Sequence, residues 1–420
     1  MNTEQEQTLT QGYTARAAAN LQRQAAPHYK DEDWKYTHFP DFGRYHRLTD
    51  TQHSHRENPF PPGAPPTDLE DAWTAVVVNG RLQPRLSRLP HPASGIRLCT
   101  LRDAKAEGAW PGQVSPGELA LSQGNYYSQW AMAQEADGLY ISIEEGKNAD
   151  KPLFIRSITD LSRREQVLPL HNVIVVAKNA RLTLSEIQEG SGPGLALSLQ
   201  EVHLGEQSQL WHNQIQLWGK ERESIQQVLV AQAGGSQYAH FAYCGGGGKT
   251  RNQLRITLLG PQAHSELTGL VLPGSGEQID NQTLVHHRSP NTGSRQRYRS
   301  VVGKEGTSVF NGKVFVEPEA QKTDAYQHHA SLLLHETSVS NAKPELEIYA
   351  DDVKCSHGAT TGMLDAGEIH YMRTRGLSEQ QARLMLLEAF VRDLLESLKS
   401  GPLRHWCLEH CGRRLGLLGE

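Results

Sequence analysis

The sequence predicts a mainly β protein whose core is a right-handed parallel β-helix, flanked by an N-terminal helical and α/β region and a C-terminal helical domain. Short strand-like runs follow one another from Leu139 to Gly362, separated by Gly, Pro, Asn and Ser turns and with hardly any helical period. Repeated units that are too small to bury their own apolar faces are typical of a solenoid. Small turn residues open successive strands at intervals of 28, 27 and 28 residues, at Ala180, Ser208, Gly235 and Ala263. On pattern alone, a β-sandwich or several small β domains stay open as alternatives.

Composition excludes several classes of protein. The chain has 420 residues and a formal net charge of −5, which is small for this length and indicates neither a nucleic-acid surface nor an anionic membrane patch. Five scattered cysteines are too few for a disulfide framework, which favours a reducing compartment. No apolar run approaches the roughly 20 residues that span a bilayer, and residues 1–20 have neither an apolar core nor a basic bias typical of a targeting peptide. A cytoplasmic location is therefore expected.

Residues 1–70 are expected to form an N-terminal helical region and a Pro-rich linker. A modest apolar side from Glu4 to Ala26 predicts a helix, and five prolines between His53 and Asp68 predict an extended linker. Between them, Trp34 and Tyr36 are interpreted as packing anchors for this region.

Residues 71–138 are expected to form an N-terminal α/β portion. It contains one clear strand, from Thr74 to Val78, which turns at Asn79-Gly80. Helical pieces are predicted around Leu101–Ala106 and Leu119–Ala133.

Residues 139–362 form the predicted β-helix core, and the richest set of coordinating side chains lies at its end, from Pro344 to Gly362. If the backbone stays extended there, Cys355 and His357 project to the same side, and Gly358 then permits a turn. A sulfur and a nitrogen ligand suit zinc, copper or an iron–sulfur species. Two ligands do not complete a tetrahedral site, so the others must come from elsewhere in the chain or from a second protein.

Three other clusters are weaker candidates. Gly245–Gly248 before Lys249-Thr250 lacks the first glycine of a phosphate loop, and a strand pattern follows it instead of a helix. Adjacent histidines face opposite ways on a strand, so the two His-His pairs are not natural chelates. The Cys407-x-x-x-Cys411 pair, with His405 and His410 nearby, has loose spacing for a metal site. The two histidine pairs are His286-His287 and His328-His329.

Residues 363–420 are expected to form a C-terminal helical domain. Ser378 and Gln381 form a plausible capping box at the start of a helix that continues to about Lys399. Its wide apolar face predicts either docking of another subunit or packing against the last segment, Leu403–Leu418. The candidate docking residues are Leu386, Leu387, Phe390, Val391, Leu394 and Leu395.

Three long motifs resemble those of the SufB/SufD family of iron–sulfur cluster assembly proteins, with the balance towards the SufD branch. They are YADDVKCSHGATTG (349–362), FNGKVFVEPEAQKTDAYQ (310–327) and EDWKYT (32–37). The resemblance implies a parallel β-helix and a non-catalytic assembly subunit of a SufBCD complex. By the same resemblance, the chain pairs with a SufB-like protein through β-helix edges, and its C-terminal helical domain recruits the ATPase SufC.

The resemblance also implies site residues. His357 is the first candidate and Cys355 the second for a metal site where a nascent iron–sulfur cluster is shared with the partner. Such complexes are associated with reduced flavin (FADH2) and iron supply, although these residues carry no flavin fingerprint. A SufB-like cluster scaffold and a carbohydrate-active β-helix enzyme are the alternatives, weakened by the scarcity of cysteines and by the lack of a clear carboxylate cluster. Homodimer formation without SufB, entry of iron through this subunit and a role for the Cys407/Cys411 pair are left open.

Overall fold

A computed structural model describes residues 3–39, 45–47, 71–108, 114–161, 165–399 and 401–418, with the backbone alone for residues 3–11. The predicted linker between His53 and Asp68 lies outside the described residues. The described helices are α1 (Thr3–Arg23), α2 (Leu101–Glu107), α3 (Glu118–Gln123), α4 (Tyr126–Ala133), α5 (Ala366–Thr374), α6 (Glu379–Leu395) and α7 (Gly401–Leu418), with short 3-10 helices at Glu32–Trp34, Pro84–Leu86 and Pro92–Ser94. None of these helices is both long enough and apolar enough to cross a bilayer.

The described strands are, in chain order, β1 (His46–Arg47), β2 (Trp73–Val78), β3 (Arg81–Leu82), β4 (Ile96–Thr100), β5 (Leu139–Ile143), β6 (Leu153–Ile158), β7 (Gln166–Val176), β8 (Arg181–Gly190), β9 (Gly194–Leu204), β10 (Gln209–Trp218), β11 (Arg222–Gln232), β12 (Gln237–Cys244), β13 (Lys249–Leu258), β14 (His264–Val271), β15 (Gln278–His287), β16 (Gly293–Val302), β17 (Thr307–Val316), β18 (Thr323–Leu333), β19 (Val339–Ile348) and β20 (Val353–Gly362).

Two parallel sheets share these strands. Sheet A has the order β19-β17-β15-β13-β11-β9-β7-β5-β4, with β1 beside β7, and sheet B has the order β20-β18-β16-β14-β12-β10-β8-β6-β2-β3. From β5 onward, successive strands alternate between the sheets, and from β7 onward each pairs in parallel with the strand two before it. The result is a β-helix of about eight turns with helices at both ends. The predicted fold class is confirmed.

Six successive turns, from the β7–β8 crossing to the β17–β18 crossing, pass from sheet A to sheet B through the same kind of corner. A residue with positive φ precedes a small, fully buried residue that opens the next strand, because only a small side chain fits inside the bend. The buried hydroxyls also bond within the corner, as Ser208 Oγ does to Gly205 O at 2.7 Å. The buried residues form one ladder, Ala180, Ser208, Ser236, Ala263, Thr292 and Thr323. Gly235, which the sequence placed in this ladder, is instead the left-handed residue of its corner.

The N-terminal part joins the solenoid directly. Strand β2 pairs with β6 and turns at Asn79-Gly80 as predicted, whereas β4 pairs antiparallel with β5. The helix predicted at Leu119–Ala133 is instead two helices, α3 and α4, which separate at Gly124, where a β-carbon would lie 2.2 Å from Ala120 O. The division into domains at 70, 138 and 362 stays a prediction.

Helices cover the outer faces of both sheets. On sheet A, the buried Glu201 carboxylate accepts bonds from Gly117 N at 2.7 Å and Leu119 N at 3.0 Å, and lies 2.6 Å from His171 Nε2. These bonds keep the pKa of Glu201 low even though burial opposes ionisation. Sheet B is covered by α6 and α7, whose apolar side chains pack with those of β8, β10, β12 and β14.

Trp34 anchors the N-terminal segment, as predicted, but Tyr36 does not. The Trp34 ring is buried against Tyr127, and the Arg251 guanidinium stacks on it at 3.8 Å. Tyr36 is 44% exposed. The alternation of a buried and an exposed aromatic residue shows that the segment presents one side only to sheet A.

The interior of the β-helix is packed so closely at Gly269 that one added methyl group should lower the stability of the fold. A β-carbon there would lie 2.1 Å from Tyr298 Cε1, inside a core where Tyr298 also packs on Phe310. We expect Gly269→Ala to lower the free energy of unfolding by about 2 kcal/mol, as overpacking does. Urea unfolding measures this. Gly362→Ala is the matched control, because nothing lies within 4 Å of its added carbon, and an equal loss in both variants would contradict the prediction.

Candidate functional site

The β-helix is open at its C-terminal end. Strands β19 and β20 are the last members of sheets A and B, and within the described residues each has a strand partner on one side only. Most side chains on both strands are half-buried or exposed, unlike those of the preceding turns. The end therefore presents two ten-residue edges with free backbone donors and acceptors, which are ready templates for pairing with another chain.

The stretch from Pro344 to Gly362 is not one continuous extended run. It contains the end of β19 and all of β20, and the chain crosses from sheet A to sheet B at Ala350–Asp352. The expected turn at Gly358 is wrong, because Gly358 lies in the middle of β20, in register with His328. The residues on either side of Gly358 continue the pairing with β18, which holds the backbone extended.

Cys355 and His357 lie two residues apart on β20, on the face that looks into the open last turn. Cys355 is in register with Ala325 and packs beside Ala350 and Leu346, and this burial raises the pKa of its thiol. His357 is exposed and in register with Gln327. Their Cα atoms are separated by two strand rises, roughly 6.6 Å. A second chain placed across the open end could reach the imidazole directly and the thiol at its rim.

Gln327 also lies at the open end, beside His357, and the sequence analysis did not predict it. Its Nε2 donates to Gly312 O at 2.9 Å, while its Oε1 is buried and finds no partner among the described residues. The amide lies one strand inward from His357. The signal in the sequence was the glycine at 312, since a β-carbon there would lie 1.9 Å from Gln327 Nε2.

The described residues hold no converging group of three or more His, Cys, Asp or Glu side chains that could bind a metal ion. A ligand role for Cys355 and His357 therefore stays a prediction, and any further ligands would have to come from outside the described residues. Sulfur and imidazole ligands nevertheless fit iron–sulfur chemistry.

Neither the backbone conformation nor the packing of the described residues requires a glycine at position 358. Its φ is not positive, and the nearest atom to an added β-carbon would be His328 Cδ2, at 3.6 Å. A glycine inside a strand often marks a place where another backbone or a ligand approaches closely. Gly358 is therefore part of the candidate site as a contact surface.

The EDWKYT motif reaches this end from the other terminus of the chain. Glu32 pairs with Lys343 on β19 at 2.5 Å, and Lys343 also pairs with Glu345. These two carboxylates raise the pKa of the Lys343 ammonium group. One residue later in the motif, Asp33 O accepts a bond from Arg251 at 2.8 Å. The motif thus spans sheet A from the middle of the solenoid to its last strand.

The other candidate ligands do not converge. Cys407 and Cys411 lie on the buried face of α7, while His405 on the same helix faces solvent and pairs with Glu409 at 3.1 Å. His410 Nδ1 lies 2.8 Å from Tyr243 OH, and burial lowers the pKa of His410 to about 4. The segment after Gly245–Gly248 is strand β13, so the rejection of a phosphate loop is confirmed.

The histidine pairs face opposite ways, as predicted. His286 is half-buried and lies 2.8 Å from Glu317, whereas His287 is buried beside Thr292 and Ser294. In the second pair, His328 is exposed and His329 is buried, with its ring stacked on Phe310 at 4.7 Å.

Four of the six predicted docking residues are buried in the protein's own core. Leu387, Val391, Leu394 and Leu395 are buried in the cluster that α6 forms with α7 and sheet B. Leu386 and Phe390 are half-buried. The alternative of packing against Leu403–Leu418 therefore accounts for the four buried leucine and valine side chains, and a docking role for the helical domain stays a prediction. Large apolar side chains that remain exposed nearby are Met363, Tyr371 and Met385.

The chain is similar in sequence to known proteins. Residues 159–390 match the family model described as SUF system FeS cluster assembly, SufBD core domain. The chain is 30% identical over 291 residues to the iron–sulfur cluster assembly protein SufD of Escherichia coli, an alignment that covers 66% of each chain. It is 26% identical over 397 residues to a SufBD family protein of Synechocystis, covering 90% of this chain and 85% of that one. It is 28% identical over 283 residues to the chloroplastic protein ABCI7 of Arabidopsis thaliana, covering 65% and 60%.

Proposed function

Because this chain belongs to the SufBD family of iron–sulfur cluster assembly proteins and resembles SufD, we propose that it pairs through its open β-helix end with a SufB-like subunit. Cys355 and His357 then contribute to the site where a nascent cluster forms as cargo of the complex. The observation that carries the proposal is a thiol and an imidazole on one face of β20, an edge strand that pairs with β18 on one side and has no strand partner on the other among the described residues.

The open end supports the choice of partner surface. A partner with a similar β-helix end offers edges of the same kind, so strands could pair across the junction and satisfy backbone groups on both sides. The partner's side chains would then complete the coordination that two ligands leave unfinished. Without that partner, the same edges are free to pair with a second copy of this chain, which makes a homodimer the expected substitute.

The first test is His357→Ala. We expect the variant to fold and to bind the partner, because His357 is exposed and packs against no core. Cluster formation in the anaerobically reconstituted complex should fall by at least about tenfold, since loss of a ligand should cost no less than loss of an outer-shell partner. Iron and sulfide content and the absorption spectrum measure this.

The matched control is His328→Ala, because His328 is exposed on the neighbouring strand but points to the other face of sheet B. Its cluster yield should equal that of the parent chain. A normal yield from His357→Ala would remove His357 from the site, and Cys355→Ser tests the second ligand in the same assay.

We also propose that the C-terminal helices dock a SufC-like ATPase. The surface available is the exposed side of α5 and the start of α6, where Tyr371 and Met385 lie, with Leu386 and Phe390 at its margin. Exposed apolar side chains on a helix face are typical of such contacts. In this proposal ATP is hydrolysed by the partner, and this chain acts as a non-catalytic assembly subunit in the cytoplasm.

A pull-down with SufB-like and SufC-like proteins separates the alternatives. The proposed function requires both partners to be retained, a SufB-like scaffold would hold a cluster on its own, and a carbohydrate-active enzyme would bind neither. Family membership argues against the enzyme. An FADH2 role belongs to the assembled complex and is tested there by flavin content, with this chain present and absent.

A further inference from the structure

Polar side chains from both sheets line one small cavity inside the β-helix, with a volume of about 20 Å3. We call it the inner cavity and define it by Gln226 on β11, His240 on β12 and Asn281 on β15. Each of these residues has one buried side-chain nitrogen without a hydrogen-bond partner among the described residues. Their exposed fractions are 3%, 5% and 4%, so bulk solvent does not satisfy these nitrogens.

Neighbouring amides fix the orientation of the Gln226 and Asn281 side chains. Gln226 Oε1 accepts a bond from Gln216 Nε2 at 2.7 Å, and Asn281 Oδ1 accepts one from Asn252 Nδ2 at 3.1 Å. Because both oxygens are already engaged, the atoms without a partner are the nitrogens, Gln226 Nε2 and Asn281 Nδ2. An amide nitrogen can only donate. Sheet A therefore supplies two unsatisfied donors to the lining of the cavity.

His240, on sheet B, supplies an acceptor. Its Nε2 lies 2.9 Å from Gln214 Oε1. The Gln214 nitrogen donates to Glu186 Oε2 at 2.7 Å, so the Gln214 oxygen is the acceptor and His240 Nε2 carries the proton. Burial holds the pKa of His240 well below its ordinary value of 6.5, so the ring is neutral near pH 7. The unpartnered Nδ1 therefore has a free lone pair.

Two donors and one acceptor around one small space select the kind of molecule that fits. The described lining contains no carboxylate, and its two free N–H donors disfavour a metal cation. It contains no Lys or Arg either, and the lone pair on His240 Nδ1 disfavours an anion. Water both accepts and donates hydrogen bonds, and a space of this size holds roughly one or two water molecules. Water is thus the ligand that matches all three groups.

We infer that the inner cavity is a binding site for structural water, which accepts hydrogen bonds from Gln226 Nε2 and Asn281 Nδ2 and donates to His240 Nδ1. A buried polar group that has no partner is costly, whereas buried water typically bonds to about three protein groups. The donors belong to sheet A and the acceptor to sheet B. The bound water therefore links the two sheets through the interior of the solenoid, far from the edges of the open end.

A high-resolution crystal structure of the full chain tests the site directly. Water density is expected in the inner cavity, within hydrogen-bond distance of the three nitrogens. An inner cavity that shows no density, or a peak that refines as an ion, would overturn the inference. Nitrogen-15 NMR of the His240 ring gives a second test. It should show the proton on Nε2, and a proton on Nδ1 instead would remove the acceptor and contradict the proposal.

A variant connects the water to the named donors. Gln226→Met removes one donor and lines the space with apolar atoms, which do not hold water. Deuterium relaxation dispersion of the solvent detects water that stays bound for longer than the protein takes to tumble. We expect Gln226→Met to lose long-lived water relative to the parent chain. The same dispersion from both proteins would contradict the inference.

The matched control is Gln232→Met, on the same strand. Gln232 is also buried, but it does not line the inner cavity. Its amide is satisfied within the protein, because Nε2 donates to His264 O at 3.1 Å and Oε1 accepts a bond from Ser265 Oγ. Gln232→Met should therefore keep the long-lived water of the parent chain, and an equal loss in both variants would contradict the site. If Gln226→Met does not fold, the crystal structure of the parent chain decides the inference.

Discussion

Gly358→Glu is expected to weaken binding of this chain to its SufB-like partner roughly hundredfold, a loss of about 3 kcal/mol. The glycine lies in the middle of the edge strand β20, and among the described residues the one atom within 4 Å of an added β-carbon is His328 Cδ2, at 3.6 Å. The fold therefore tolerates the change. A partner backbone that packs against this strand would instead have to bury the carboxylate without a counter-charge, which is strongly unfavourable.

Titration calorimetry with the purified partner measures the effect, and urea unfolding verifies that the variant is folded. Gly416→Glu on α7 is the matched control, because its added side chain also meets nothing within 4 Å and lies away from the open end. It should bind the partner as tightly as the parent chain. Unchanged affinity for Gly358→Glu would mean that the partner does not approach β20 closely, and would remove the open end from the proposed interface.

Acid should destabilise the β-helix by about 4 kcal/mol between pH 8 and pH 5 through two interior histidines alone. Burial lowers the pKa of His287 to about 3 and of His329 to about 4, against an ordinary value of 6.5. Since the folded-state pKa is depressed, the stabilisation is complete above pH 6.5 and is lost as the unfolded chain takes up protons below it. The buried His240, whose pKa is also well below 6.5, acts in the same direction.

One residue pair on β18 allows this prediction to be tested cleanly. His329→Gln should remove about 2 kcal/mol of the difference in unfolding free energy between pH 8 and pH 5, because it removes one depressed titration. His328→Gln should remove much less, since the charge of His328 makes only the smaller contribution to the lowered pKa of His329, after burial. Urea unfolding at pH 8, 6.5 and 5 gives the change of unfolding free energy with pH for the parent chain and for each of the two variants. A pH dependence that is the same in both variants would show that His329 does not carry the effect.

Local chemistry was sufficient for most of the fold. Alternating strands, corners with small residues and the helical ends were readable because each depends on neighbours within a few positions. The expected turn at Gly358 failed for the opposite reason: pairing along ten positions of β18 holds that glycine extended, and such pairing is between distant parts of the chain. The break between α3 and α4 was missed for a local reason, since α3 ends where Gly124 N donates to Ala120 O, only four residues earlier.

The candidate site shows the same division. The sequence by itself placed Cys355 and His357 on one face, since their two-residue spacing on a strand fixes their direction. It also favoured a solenoid, because repeats that cannot bury their own apolar faces tend to stack, although the pattern alone left a β-sandwich open. Only the tertiary structure decided that β20 is the last strand, that Gln327 lies beside His357, and that the apolar residues of α6 are mostly covered by α7. Which strand lies at the edge of a sheet, which residues lie beside each other on neighbouring strands and which helix faces are buried all depend on contacts between segments that are distant in the sequence. The local periodicity of the sequence does not determine those contacts.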